Sequence, residues 1–128
     1  MRDWPWANFS PHEMRCKHTG KTGMDPSFMD RLQRLRDEFG GPLPVSSGYR
    51  HPDHPIEARK DEPGSHSTGK AADIRIHGAD ALRLVRLALQ EGFTGVGIHQ
   101  TGDHGSRFIH LDTVDPGPGR PRPWIWSY

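Results

Sequence analysis

The sequence is poor in cysteine, in excess charge of either sign and in long apolar runs. Its 128 residues include one cysteine, Cys16, which excludes an internal disulfide framework. The 17 basic and 16 acidic residues leave a net charge of +1. The chain therefore lacks the excess of positive charge that is typical of proteins that bind nucleic acid or an anionic membrane. No stretch approaches the roughly 18 apolar residues that would span a bilayer. We therefore expect no nucleic-acid partner and no membrane insertion.

The first residues also lack the features of a secretory signal. Residues 1–6 include an acidic side chain, Asp3, and no apolar run. We expect synthesis in the cytoplasm without a signal peptide, so any route out of the cell must be supplied by another component. The length fits a single domain, 1–128, with enough chain for an apolar core.

Two helices are predicted from apolar spacing and from the residues at their ends. Asp25 is a favourable N-cap and Pro26 a favourable first residue, and apolar residues then recur at helical spacing up to Gly40. A second helix is predicted over 79–91, with a broad apolar face that should pack under a sheet.

Four strands are predicted, and a long polar loop over 49–65 separates the first two. Aromatic residues at the end of the chain are expected to dock back on the body, because exposed tryptophans would be a liability. The order of elements predicts an α+β fold with a small antiparallel sheet backed by helices. The predicted strands are 43–47, 71–76, 95–100 and 107–112, the last two joined by a turn over 101–105.

Histidine is abundant, with nine residues scattered along the chain, and three residues suggest a metal site. His66 lies in a loop that enters a predicted strand, and Asp73 lies on the polar face of that strand. Gly69 permits a tight turn between them. His110, on the strand 107–112, can approach from the neighbouring strand. Catalytic zinc takes three such ligands and leaves a fourth position for water.

The motif His-x-x-Gly-x-Ala-x-Asp with a downstream strand histidine resembles the zinc D-Ala-D-Ala carboxypeptidase and L-alanyl-D-glutamate peptidase family. That group also contains lysostaphin-type peptidases and hedgehog domains. More narrowly, the chain resembles its short phage and prophage members. The matching segments follow in order along nearly the whole chain, at Phe9–Met14, Ser47–Arg50, His66–Ile74, Phe108–Asp112 and Pro123–Tyr128.

The resemblance implies a hedgehog-like and D-Ala-D-Ala-peptidase-like fold and one Zn²⁺ per chain on His66, Asp73 and His110. It implies hydrolysis of a peptide bond in the peptidoglycan stem peptide, by a carboxypeptidase or an endopeptidase. Arg50 occupies the position of the family arginine that contacts substrate and stabilises the tetrahedral transition state. A permanent cation with a forked set of donors suits that role.

Two positions depart from the family pattern. Gly64 stands where many members carry serine, two residues before the first ligand. Arg107 stands where the better-known members carry an acidic general base, three residues before His110, and arginine cannot accept a proton.

The general base must therefore be another residue. Asp112 is our first candidate, because it shares a strand face with His110, although a carboxylate there can instead orient a ligand imidazole. Asp103 and His104 in the turn are the rivals, and both are also candidate substrate contacts. His99 is a further candidate substrate contact, because it shares a strand face with two glycines and can lie at the floor of the site.

The resemblance to phage proteins also suggests a biological setting. We expect an enzyme of cell-wall degradation that reaches the wall or periplasm through a holin or as part of a virion, where phage tail proteins are candidate partners. The alternative is a zinc-binding virion, tail or wall-binding module with reduced catalysis, which the substitution by Arg107 favours.

Overall fold

The computed structural model describes residues 4–55 and 64–128, so part of the predicted loop over 49–65 lies outside the described residues. Two short 3-10 helices, Ser65–Thr68 and His104–Ser106, precede the strands that carry the site. The helices are α1 (Pro11–Met14), α2 (Pro26–Phe39) and α3 (Gly78–Gln90), and the strands are β1 (Val45–Ser47), β2 (Ala71–Arg75), β3 (Gly95–His99), β4 (Phe108–Asp112) and β5 (Trp124–Ser127).

The five strands form one sheet in the order β1-β2-β4-β3-β5. The pairs β1–β2, β2–β4 and β4–β3 are antiparallel, as predicted, but β3 and β5 run parallel. The predicted α+β class is confirmed, and the sheet is mixed rather than wholly antiparallel.

The parallel pair follows from where the chain leaves β4. Asp112 ends β4 beside Gly95, the first residue of β3, and residues 113–123 then lead to Trp124 at that same end. The next strand therefore runs in the direction of β3. Backbone hydrogen bonds from Trp124 to Thr94 (2.9 Å) and from Tyr128 to Ile98 (3.2 Å) join it to the sheet. The terminal segment does dock on the body, through a strand that the sequence pattern did not predict, and Trp126 packs against His110, but Trp124 and Tyr128 stay 55% and 60% exposed.

One face of the sheet packs on α2 and α3 and forms the apolar core. The core is contributed by alternate residues of the strands and by the inner faces of both helices. Its largest buried members include Phe28, Met29, Leu32, Leu35, Ile74, Leu84, Phe93, Ile109 and Leu111. The opposite face of the sheet carries Asp73, His110 and Asp112, with the aromatic rings of Phe108 and Trp126 beside them.

Helix α3 buries less of its apolar face than its sequence predicts. Ala81, Leu84 and Ala88 are buried, whereas Leu82 is 74% exposed and Leu89 is 60% exposed. A helix on one side of a sheet buries only the stripe that faces the sheet. No helix in the described part of the chain has the length and apolar character needed to cross a membrane.

The ends of α2 are those that the sequence predicts. The Asp25 side chain accepts a hydrogen bond from the backbone N–H of Phe28 at 3.0 Å, and Gly40 ends the helix with a φ of 74°. Helix α1 was not predicted, although Ser10 and Glu13 form a reciprocal capping box at its start. Four residues are too few for an apolar period to be visible.

We predict that Asp25→Ala lowers the free energy of unfolding by about 1 kcal/mol at neutral pH, because the cap hydrogen bond is lost. Burial alone would raise the pKa of Asp25, but hydrogen bonds from Ser27 and Phe28 outweigh burial and lower that pKa. The contribution of the cap is therefore complete above the unfolded pKa of about 3.9 and is lost as pH falls through the lower folded pKa. Urea denaturation at several pH values measures this difference.

Asp37→Ala is the matched control, because Asp37 is exposed in the same helix. Its effect should stay within about 0.5 kcal/mol. Equal effects of the two substitutions would contradict the role of Asp25 as the cap.

Candidate metal centre

Cross-strand pairing brings two predicted ligands together on the polar face of the sheet. Asp73 of β2 is paired directly with His110 of β4, and His110 is paired with Gly97 of β3. Directly paired residues project from the same face, so their side chains meet. The His110 Nδ1 lies 3.0 Å from the Asp73 Oδ1.

The third predicted ligand, His66, comes from the 3-10 helix that precedes β2. Its Nε2 lies 3.2 Å from the same Asp73 Oδ1, and its Nδ1 lies 2.8 Å from the carbonyl oxygen of Gly48. Gly69 ends that helix with a φ of 75°, and a side chain there would overlap the carbonyl oxygen of Gly23. The tight turn that the sequence assigns to Gly69 is therefore present.

The donor atoms of His66, Asp73 and His110 lie within 4.8 Å of one another. A carbonyl oxygen can only accept, so the Nδ1 of His66 must carry its proton and leave Nε2 as the ligand atom. Asp112 likewise accepts from the Nε2–H of His110 and leaves Nδ1 as the ligand atom. Two imidazole nitrogens and one carboxylate oxygen are a donor set that fits zinc.

Without a metal ion, His110 is held toward its protonated form, and a bound metal would displace the proton on its Nδ1. Burial alone would raise the pKa of Asp73, but hydrogen bonds from His110 and His66 outweigh burial and hold that pKa well below its usual range. Burial lowers the pKa of His110, yet the carboxylates of Asp112 and Asp73 outweigh this effect and raise it. Asp73 is therefore ionised at neutral pH, as a metal ligand must be.

Asp112 lies beside His110, as predicted, and is completely buried. Its Oδ2 is 2.7 Å from the Nε2 of His110, and both of its oxygens accept hydrogen bonds from Arg122, at 2.9 and 2.8 Å. Its Oδ1 also accepts the backbone N–H of Val114 at 3.3 Å. Burial raises the pKa of Asp112, but the bonds from His110 and Arg122 lower it to about 2.

Arg50 lies beside the 3-10 helix that carries His66. Its backbone N–H donates to the carbonyl oxygen of His66 at 3.1 Å, and its own carbonyl oxygen accepts from the Ser67 hydroxyl at 2.5 Å. The guanidinium Nη2 donates to the Ser47 hydroxyl at 3.3 Å. The backbone of Arg50 is thus fixed next to the first ligand.

The remaining predicted site residues lie farther along the sheet. The His99 ring stacks on that of Phe108 at 4.9 Å, two cross-strand pairs beyond the pair formed by Gly97 and His110 and on the same face. Asp103 and His104 lie in the exposed turn before β4, where His104 stacks on His77 at 4.6 Å. The structure therefore groups the three metal ligands but does not add Asp103 or His104 to that group.

Sequence reasoning missed Arg122 and Trp126 as residues of the site. The Trp126 ring lies 5.0 Å from that of His110, over Gly97, where a side chain would overlap the indole. The alternation Gly95, Gly97 in a strand was the available signal, because glycine in a strand often marks the close approach of another group. No sequence signal pointed to Arg122.

The grouped donors form a candidate metal centre, and a comparison with known families indicates the class of protein. The sequence model of the family described as Peptidase M15 matches residues 7–112, and the chain belongs to this family. A search of curated proteins found no match. The predicted family resemblance is thus confirmed, and membership supports peptidase activity.

We predict that the purified protein holds about one zinc per chain and that His66→Ala or His110→Ala loses most of it. Removing one of three protein ligands leaves an incomplete site. Elemental analysis after dialysis measures the content, with His12→Ala as the control because His12 is exposed on α1. Full zinc content in both ligand variants would end the assignment.

Proposed function

We propose that the protein is a zinc-dependent peptidase that hydrolyses a peptide bond in the stem peptide of peptidoglycan, as a carboxypeptidase or an endopeptidase. The observation that carries this proposal is the convergence of His66, Asp73 and His110 in a chain of the Peptidase M15 family. The alternative is a zinc-binding module with reduced catalysis. It is favoured by Arg107, whose Nε donates to the carbonyl oxygen of Gly102 and which cannot accept a proton.

The ligand atoms available to zinc are the Nε2 of His66, the Oδ1 of Asp73 and the Nδ1 of His110. In a three-ligand site, zinc supplies Lewis-acid activation of water and of the scissile carbonyl. The partners of the opposite ring nitrogens, the Gly48 carbonyl and Asp112, hold the two imidazoles in the orientation and tautomer that binding requires.

Arg50 is the residue that we assign to the oxyanion or to a substrate carboxylate. Its guanidinium is always charged and offers several N–H donors in a planar fork. Hydrogen bonds to its backbone N–H and carbonyl oxygen fix the backbone of Arg50 beside His66. Such preorganised donors act on the charge that develops in the transition state.

We predict that Arg50→Ala lowers turnover by roughly 100-fold, or about 3 kcal/mol, as expected when one oxyanion donor is removed. The melting temperature should change less than turnover does, since Arg50 is half-buried in a loop and its bond to the Ser47 hydroxyl is long, at 3.3 Å. Arg86→Ala, on the exposed face of α3, is the control and should keep full turnover. A large drop in melting temperature with unchanged specific activity would identify a structural arginine.

Asp112 suits an orienting role better than that of general base. A general base works best with a pKa near the working pH, whereas Asp112 has a pKa of about 2 and both of its oxygens are occupied. The sequence-based candidates for the base remain predictions, and Asp103 and His104 are the two that lie on the exposed turn.

We predict that Asp112→Asn weakens zinc binding, because the acceptor for the Nε2–H of His110 is altered. Asp103→Asn and His104→Ala, measured in parallel for zinc content and turnover, should keep the metal. If Asp112→Asn retains zinc but loses activity, Asp112 is the base. If all three variants match the wild type, the proton carrier is another residue.

The setting that we propose is cell-wall degradation by a phage-encoded enzyme that reaches the wall or periplasm by holin release or within a virion. The family-like segments of the chain, including the ending Trp126, Ser127 and Tyr128, support this proposal. Mass spectrometry of a muropeptide digest, with and without a chelator, tests the activity and identifies the bond. Digestion that stops with chelator and returns with zinc is expected. Intact muropeptides under all conditions would favour the module with reduced catalysis.

A further inference from the structure

We propose that Arg122 is a positioning residue of the metal centre, which fixes Asp112 and through it the imidazole of His110. This inference rests on the metal-binding part of the proposed function. It concerns a residue beyond the family match, which ends at residue 112. The role predicted for Arg122 is to set the affinity of the site for zinc.

Three buried side chains contact one another in series: Arg122 binds Asp112, and Asp112 binds His110. The Arg122 side chain is 7% exposed and that of Asp112 is completely buried. The Nε and Nη2 of Arg122 each donate to a different oxygen of Asp112, at 2.9 and 2.8 Å, which fixes the plane of the carboxylate. In that plane, the Oδ2 lies 2.7 Å from the Nε2 of His110, and the Nδ1 of the same ring faces Asp73.

Holding the carboxylate plane has a chemical consequence for His110. Among the described residues other than Arg122, the Oδ1 of Asp112 accepts only the long backbone hydrogen bond from Val114, at 3.3 Å. The two shorter, charge-assisted bonds from Arg122 therefore restrict rotation of the carboxylate about its Cβ–Cγ bond most strongly. Both ring nitrogens of His110 face a carboxylate, so when a metal takes the Nδ1 the remaining proton lies on the Nε2, where Asp112 accepts it. Arg122 therefore acts on the ligand atom without touching it.

The surrounding residues are shaped to accommodate this contact. A side chain at Gly95 would overlap the Asp112 carboxylate, and one at Gly97 would overlap the indole of Trp126. The Trp126 ring lies 5.2 Å from the guanidinium carbon of Arg122 and 5.0 Å from the ring of His110. It therefore covers the first and the last side chain of this series. Two glycines of β3 thus make room for the groups that support His110.

If Arg122 had a purely structural role, its ion pair with Asp112 would only hold residues 113–123 against the sheet. A buried ion pair is weak grounds for such a role, because the desolvation of two charges offsets much of their attraction. The two roles differ in what a conservative substitution changes. A structural tie affects the stability of the metal-free protein, and a positioning residue affects zinc affinity.

Arg122→Lys is the test, because lysine keeps the charge and loses the planar fork. The zinc dissociation constant of the full chain is measured by competition with a chromophoric chelator, and the melting temperature is measured with and without zinc. We expect zinc binding about 10- to 100-fold weaker than in the wild type, the usual effect of removing the partner that orients a metal ligand. The metal-free protein should remain folded.

Arg83→Lys is the matched control. Arg83 donates to the carbonyl oxygen of Phe39 at 2.8 Å and covers the Phe39 ring, so it also makes a tertiary contact, but between α3 and the end of α2. Its substitution should leave zinc affinity unchanged. In the Asp112→Asn background, Arg122→Lys should weaken zinc binding no further, since the two residues act in series.

The outcomes separate this proposal from the one on which it rests. Zinc affinity of Arg122→Lys within twofold of the wild type, with weaker binding by Asp112→Asn, would overturn the role of Arg122 and leave the metal centre intact. Failure of Arg122→Lys to fold, or additive effects of the two substitutions, would also overturn it in favour of a structural tie. A wild-type protein that binds no zinc would remove the metal centre itself.

Discussion

The register between β2 and β4 is the constraint on which the site depends. It pairs Asp73 with His110 and, on the same face, Ala71 with Asp112. Because side chains alternate along a strand, a slip of one residue would turn one ligand into the core. The apolar residues that alternate with them along the two strands, Ala72, Ile74 and Leu111, face the core and are completely buried. Burial of the core therefore stabilises the register that places the candidate metal ligands Asp73 and His110.

The site is also asymmetric in how its two histidines are held. His66 is oriented by a backbone carbonyl in the loop that follows β1, while His110 is oriented by a buried carboxylate. The carboxylate needs a counter-charge and space, which Arg122 and Gly95 provide. The last 16 residues of the sequence thus contribute to a centre whose ligands all precede them.

The sequence predicted the parts of the molecule whose signals are local. The cap at Asp25, the turn at Gly69 and the strand faces of Asp73 and His110 each follow from a few neighbouring residues. Together with the family motif, these signals predicted the α+β class, which is confirmed, and the grouping of His66, Asp73 and His110 as a candidate metal site.

The contacts that the sequence did not predict join residues whose relation is set by the fold. The parallel strand β5 depends on where residues 113–123 cross the end of the sheet, and the contact between Arg122 and Asp112 depends on that crossing. The exposure of Leu82 and Leu89 depends on which side of α3 meets the sheet. Periodicity within a segment carries none of this information.

The central claim is that a metal binds through the Nδ1 of His110 while Asp112 holds the Nε2 of the same ring. A crystal structure of the zinc-loaded protein, with anomalous data at the zinc edge, tests it most directly. The account predicts one zinc at about 2.0–2.2 Å from the His66 Nε2, the Asp73 Oδ1 and the His110 Nδ1. Zinc bound to the Nε2 of His110, or at a site that lacks these residues, would contradict it.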